Sequence, residues 1–190
     1  MAAEPAVTLT APSAFLLPNL ADDGLELAAP DEGRLETEHY DTPDLRLARW
    51  GCSLFHRAGE GWTLQLPSPR GGPARRLMFA GPEHRPPAEA LSVVRAYVRR
   101  AQVRPVARLS TRRRRLPLRN GAGDQVGTIV DDDVSVLQGR RVTDRFRELE
   151  VEIPDGGTAL LGPLVSRLEE AGATPTDGAP PHHRAFGPAA

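Results

Sequence analysis

The sequence predicts an α+β fold, mainly antiparallel β, whose sheet carries charge on one face and aliphatic residues on the other. Three observations carry this expectation. Residues 146 to 153 read Phe-Arg-Glu-Leu-Glu-Val-Glu-Ile, so Leu149, Val151 and Ile153 alternate with Glu148, Glu150 and Glu152. A period of two is a strand, with three carboxylates on one side and three aliphatics on the other. Arg108 and Arg112 to Arg115 lie in a second strand-like run, Val106 to Leu118. Asp131, Asp132 and Asp133 stand between Ile129-Val130 and Val134-Ser135-Val136. Adjacent carboxylates repel, and such a row is stable in water, against a basic surface or around a metal cation. A sheet of this kind can curl so that its charged face lines a cavity, with acids on one wall and arginines on another.

Each element follows from local signals. Val7 to Thr10 reads as a first strand ended by Ala11-Pro12; Leu25 to Leu27 and Leu35 to Tyr40 are further strands. Thr42-Pro43-Asp44 opens a helix of about two turns, Asp44 to Trp50, with Thr42 as cap, Pro43 in the first turn and Gly51 as stop. Residues 53 to 57 and 62 to 66 flank Ala58-Gly59-Glu60-Gly61, a hairpin loop, and Arg75 to Phe79 is another strand. Pro86-Pro87 starts a helix, Ala88 to Ala101, with Leu91, Val94 and Val98 on its apolar stripe. The arginine strand, 105 to 118, turns at Asn120-Gly121 into a strand from Gln125. A last helix, Ala159 to Ala171, has Leu161, Leu164, Val165 and Leu168 on one face and Gly172 as stop, although Gly162-Pro163 weakens its start. Residues 1–172 read as one domain, and residues 173–190, rich in Pro, Gly and Ala, as a tail or linker.

Composition narrows the class of function. A chain of 190 residues buries a sizeable core, and a net charge of −1 gives no field drawing it onto nucleic acid or an acidic membrane. All 24 basic residues are arginine, so lysine is absent from any role as nucleophile, base or phosphate ligand. Cys52 is the single cysteine, which excludes an intrachain disulfide and points to a reducing, cytoplasmic setting. No apolar run approaches the roughly 20 residues that cross a bilayer. Met1 to Leu17 lacks the basic start of a secretory signal. No His/Cys cluster has zinc spacing, and no Walker loop, GxGxxG or Gly-x-Ser-x-Gly elbow is present.

Tyr40-Asp41-Thr42-Pro43-Asp44-Leu45-Arg46-Leu47, Trp62-Thr63-Leu64-Gln65-Leu66-Pro67 and Glu148-Leu149-Glu150-Val151-Glu152, in that order and spacing, resemble a CYTH domain of the triphosphate tunnel metalloenzymes. The resemblance covers about residues 4 to 172. It implies an eight-stranded antiparallel β-barrel-like tunnel with flanking helices, a divalent metal (Mg²⁺ or Mn²⁺) and a triphosphate substrate. Arg184-Ala185-Phe186-Gly187-Pro188 resembles the link to a CHAD domain in bacterial two-domain proteins, which implies a CHAD domain as a partner. Departures from the pattern are specific. The opening Glu-x-Glu-x-Lys reads Glu4-Pro5-Ala6-Val7-Thr8; an Arg-x-Arg pair reads Phe55-His56-Arg57; Gln65 and Pro181 replace lysines; and Thr128 replaces an acid.

The resemblance assigns Glu4, Asp132, Glu148, Glu150 and Glu152 to the metal, with Glu148 or Glu150 orienting the attacking water, and Arg57, Arg113 and Arg115 to the substrate. Arginine suits that role because its planar donors match phosphate oxygens and stay charged when buried. Periodicity alone leaves open whether Arg113 and Arg115 or Arg112 and Arg114 point inward, and it leaves a solvated acidic face or a nucleic-acid patch as alternatives. No interleaved aromatics favour the latter. Asp131, Asp133 and His56 are expected to face solvent, and Tyr40, Asp41, Thr42, Pro43, Trp50 and Trp62 to be structural. Two functions follow: a metal-dependent inorganic triphosphatase-like hydrolase with weakened or lost activity, or a non-catalytic polyphosphate- or nucleotide-binding or partner-docking domain.

Overall fold

Alternating aliphatic and polar residues underlie the longer of ten strands among the described residues. The structure, a computed structural model, describes residues 6–67, 75–154 and 157–176. In chain order the strands are β1 Ala6–Ala11, β2 Leu25–Leu27, β3 Asp31–Asp41, β4 Ser53–Arg57, β5 Gly61–Leu66, β6 Arg75–Phe79, β7 Arg104–Asn120, β8 Gln125–Gln138, β9 Arg141–Glu152 and β10 Thr174–Pro175. Helices α1 Arg46–Arg49, α2 Ala88–Val93, α3 Arg95–Val98 and α4 Thr158–Glu170 complete it. The strand pairing follows β10-β1-β9-β8-β7-β3-β4-β5-β6, with β2 on β7. The α+β, mainly antiparallel class is as expected. The sheet has ten strands, more than the eight of a simple tunnel, and its pairing path is open among the described residues.

The described residues form two compact units. The first comprises 6–34, 111–134, 145–154 and 157–176, and the second 35–67, 75–110 and 135–144, so β3, β7, β8 and β9 each contribute to both. The core of the first unit gathers Leu9, Leu118, Ile129, Leu149, Val151 and Ile153 from the sheet with Leu164 and Leu168 from α4. The stripe of α4 is anchored strongly enough that Pro163, beyond the first turn, removes one helical N–H without ending the helix. Gly127 is required where β8 passes Ile153: a Cβ there would stand 2.6 Å from Ile153 Cδ1 and 3.0 Å from the Glu152 carbonyl. Thr174–Pro175, in the stretch read as a tail, pair with β1.

The second unit packs Tyr40, Leu54, Trp62 and Leu64 against Leu47, Ala90, Val94 and Val98. Trp62 is fully buried and its Nε1 donates to the Pro82 carbonyl at 2.9 Å. Two helices differ from the sequence reading. The helix expected over 88–101 breaks at Val94, whose φ of −96° and ψ of 8° leave the helical region. The β-branched pair Val93-Val94 weakens the helix locally, and burial of Val94 fixes the break. The two-turn helix expected over 44–50 is a single turn. Buried Asp41 accepts the N–H groups of Leu47 and Ala48, both at 2.9 Å, and Thr42 Oγ1 accepts that of Arg46 at 3.0 Å. These side chains cap the turn in place of a further helical turn.

Asp131 corrects an expectation. It faces away from Asp132 as the alternation requires, yet it is 1% exposed rather than solvated. Arg147 grips it through Nε–Oδ1 and Nη2–Oδ2, both at 2.6 Å, and Arg114 bonds the same carboxylate. Arg147 also donates to the Phe15 carbonyl and lies 5.7 Å from the Phe15 ring centroid. His56 is likewise buried rather than outward, 5.2 Å from Trp62 ring to ring. Asp133 is exposed as expected.

Burial opposes ionisation of Asp131, but hydrogen bonds and charge from Arg147 and Arg114 outweigh it and hold its pKa below the usual carboxylate range. A depressed folded-state pKa stabilises fully above the unfolded value of about 3.9 and loses that contribution as pH falls through the folded value. Asp131→Ala strands two guanidinium groups and is expected to cost about 3–5 kcal/mol in urea unfolding at neutral pH. The variant should also lose less stability than wild type on acidification below pH about 4.

Candidate functional site

The face of the first unit opposite its core is charged. On β9, Glu148, Glu150 and Glu152 project from the side opposite Leu149 and Val151, and β1 lies beside them in register: Thr10 opposite Glu148, Thr8 opposite Glu150, Ala6 opposite Glu152. On β8, Asp132 points away from the core side that holds Ile129 and Asp131. On β7, Arg113 and Arg115 share this face, whereas Arg114 reaches Asp131 on the other. The side left open by periodicity is therefore the one carrying Arg113 and Arg115.

Ion pairs organise the face. Arg113 forks onto Asp132, Nε to Oδ1 at 2.8 Å and Nη2 to Oδ2 at 2.6 Å, with side chains 28% and 13% exposed. Arg115 Nη2 donates to Glu152 Oε2 at 2.6 Å. Glu148 is buried and Glu150 half-buried beside them. Arg57 belongs to the second unit, where its Nη1 donates to Glu60 at 2.9 Å and its guanidinium lies 5.4 Å from the Phe55 ring. Phe55 itself is buried against His39, with ring centroids 5.3 Å apart. Glu4 lies outside the described residues.

The donors suit a hard cation. Carboxylate oxygens are the ligands Mg²⁺ and Mn²⁺ prefer, and Mg²⁺ commonly takes one or two of them together with phosphate and water oxygens. Glu148 and Glu150, on neighbouring same-face positions about 7 Å apart along the strand, could hold such an ion. Among the described residues, no three His, Cys, Asp or Glu side chains are grouped as a metal cage. The arrangement thus fits an ion shared with a ligand's own oxygens, not one caged by the protein.

Other reactive groups are quiescent. Burial, and then the charge of Asp41, push the Cys52 thiol up to about 11, so the buried cysteine is protonated at neutral pH. Glu38, which also accepts from Tyr40 Oη at 2.5 Å, stands 2.9 Å from His84 Nδ1; this network closes part of the second unit and was not read from the sequence. Tyr40 sits two residues from Glu38 on one face of β3, but His84 comes from a distant loop, so spacing could reveal only half of it.

No protein-family profile matches the chain. Two solved structures align with it: a provisionally named adenylate cyclase of Bacillus halodurans, with a TM-score of 0.52 at 16% identity over 85% of this chain and 98% of that one, and HpAC1 from Hippeastrum, with a TM-score of 0.52 at 13% identity over 95% and 93%. The fold is of the CYTH type. HpAC1 is provisionally named an adenylyl cyclase and described as having a dominant triphosphatase activity. In sequence, the chain is 35% identical over 164 residues to the uncharacterized proteins Rv2226 and MT2285 of Mycobacterium tuberculosis, over 75% of this chain and 31% of each relative. It therefore spans about a third of their length. No helix among the described residues is long and apolar enough to cross a membrane.

The two pairs on the charged face differ in burial and geometry, and double-mutant cycles should rank them. The forked, part-buried Arg113–Asp132 pair is expected to couple by about 0.5–3 kcal/mol. The more exposed, singly bonded Arg115–Glu152 pair should couple by less than about 1 kcal/mol. Urea unfolding of the single and double alanine variants measures both.

Proposed function

We propose that this CYTH-type chain binds a triphosphate-class polyanion on the charged face of its first unit, together with Mg²⁺ or Mn²⁺, and hydrolyses it weakly or not at all. The observation that carries this reading is the placement of Arg113 and Arg115 among Asp132, Glu148, Glu150 and Glu152 on one face. Each arginine is neutralised by an acid, so an entering polyanion can take the arginines while the released carboxylates face the cation. Arg113 and Arg115 would bind and orient phosphate oxygens, and Glu148 or Glu150 would orient water towards the terminal phosphorus. The metal would supply charge neutralisation at the phosphate oxygens. The weakness has a structural counterpart: Thr8, opposite Glu150, and Thr128 are neutral where the resembled pattern has a cation and an acid, and Phe55 and Gln65 are neutral on the second unit. The greater length of Rv2226 and MT2285 is consistent with a further domain, and a CHAD-type module is part of this proposal as a partner.

Calorimetry with tripolyphosphate and Mn²⁺, paired with phosphate-release assays, tests the reading. Wild type should bind both ligands together more tightly than either alone and turn over slowly. Arg113→Ala should weaken tripolyphosphate binding by about ten- to a hundredfold. Glu150→Ala should remove most of the Mn²⁺ dependence while leaving the protein folded. Thr8→Lys should raise polyanion affinity. Rapid turnover by wild type would overturn the weak-activity half of the proposal. Equal binding by wild type and Arg113→Ala would overturn the site.

A further inference from the structure

A concave site lies on the second unit, between α1 and α3. The cavity, about 520 Å³, is lined by Asp44, Arg46, Arg49, Trp50, Tyr97 and Arg99. That volume falls in the roughly 300–1,000 Å³ range of small-molecule sites. Three features set it apart from ordinary surface.

First, Trp50 is 63% exposed, while the only other tryptophan, Trp62, is fully buried. Its ring leans on Tyr97 with centroids 5.6 Å apart at 43°, which holds the indole while leaving a face open. Second, the arginines divide their roles. Arg46 is tied down, its Nε donating to Asp44 at 2.9 Å and its Nη1 to the Val98 carbonyl at 3.0 Å. Arg49 and Arg99 are exposed and have no ion-pair partner among the described residues. Asp44 is already engaged by Thr42 and Arg46, so it does not neutralise them. Third, Arg99 ends α3 at a φ of 54°, a left-handed conformation that favours glycine. An arginine held there is strained backbone, and strain of this kind concentrates at binding sites.

We infer that this cavity binds a mononucleotide, the base stacked on Trp50 and the phosphate held by Arg49 and Arg99. A stacking platform accepts any base, and guanidinium groups provide paired donors to phosphate oxygens. Because these arginines are not paired with acids among the described residues, a single phosphate suffices. The site is separate from the charged face and does not depend on the reading of that face.

Titration of the full chain with AMP, followed by tryptophan fluorescence, tests it. Trp50 is the exposed reporter, so saturable quenching by AMP is expected, and inorganic phosphate should bind at least about tenfold more weakly without comparable quenching. Arg49→Gln should weaken AMP by about tenfold or more. Arg99→Gly is the sharper variant: glycine takes this φ without strain, so thermal stability should hold or rise while AMP affinity falls by a similar factor. Arg113→Ala should leave AMP binding unchanged, which keeps this site distinct from the charged face. Absence of saturable quenching would overturn the proposal, as would undiminished AMP binding by Arg99→Gly. Affinity for a single-stranded oligonucleotide that grows with length well beyond one nucleotide would replace it with a nucleic-acid track.

Discussion

The strict alternation of the long strands is the constraint on which the rest depends. A strand turns over at every residue, so β9 can present Leu149, Val151 and Ile153 to a core and Glu148, Glu150 and Glu152 to the opposite side with no loop to separate them. A one-residue slip would bury three carboxylates and expose three aliphatics, which no pairing energy could offset. The core and the charged face therefore fix each other. Packing of α4 onto Leu149 and Ile153 sets the register, and the register in turn decides that Thr8 stands opposite Glu150.

The same alternation explains how two kinds of ion pair coexist a residue apart. Arg113 and Asp132 lie on the open face, while Arg114 and Asp131, their immediate neighbours, lie on the core side with Arg147. In the core-side cluster Asp131 and Arg147 are nearly dry while Arg114 is a third exposed, and the buried charges gain from low polarity only because both Asp131 oxygens are bonded. On the open face both partners of each pair remain part-exposed, so solvent screens them. Burial of Asp131 and Arg147 thus separates a structural pair from the part-exposed pairs that the proposed function would have a ligand exchange.

How much of this was legible in the sequence follows from what each feature depends on. Strand alternation, the β4–β5 hairpin and the apolar stripe of α4 are local, and they were read directly. The shortening of α1 was not, because it turns on Asp41 reaching two amides six and seven residues ahead. The break at Val94 depends on tertiary burial, which overrides a good apolar stripe. Asp131 was misread as solvated because alternation says which way a side chain points, not what waits there: Arg147 is distant in sequence, and nothing local announces it. The partner choices Arg113–Asp132 and Arg115–Glu152 are cross-strand, so spacing could name the residues of the charged face without pairing them. Trp50 looked like packing because sequence spacing does not report exposure, and the ring is 63% exposed.

The absence of lysine makes the contrast between the two candidate sites physical. Arginine cannot shed its proton, so every arginine charge here is permanent and must be met by an acid, by solvent or by a ligand. On the charged face acids meet it. Exchanging one carboxylate for one phosphate oxygen at a guanidinium is then close to neutral, and net affinity arises only when a ligand brings several phosphates and a cation for the acids it displaces. Under the proposed function, a polyanion would be favoured there over a monophosphate for that reason. At Arg49 and Arg99 solvent meets the charge. Among the described residues no pair would need to be broken there, and the exposed indole would add stacking, so on the mononucleotide proposal a single phosphate attached to an aromatic ring would be enough. One residue type would then support two ligand classes, with the presence or absence of a neighbouring carboxylate selecting between them.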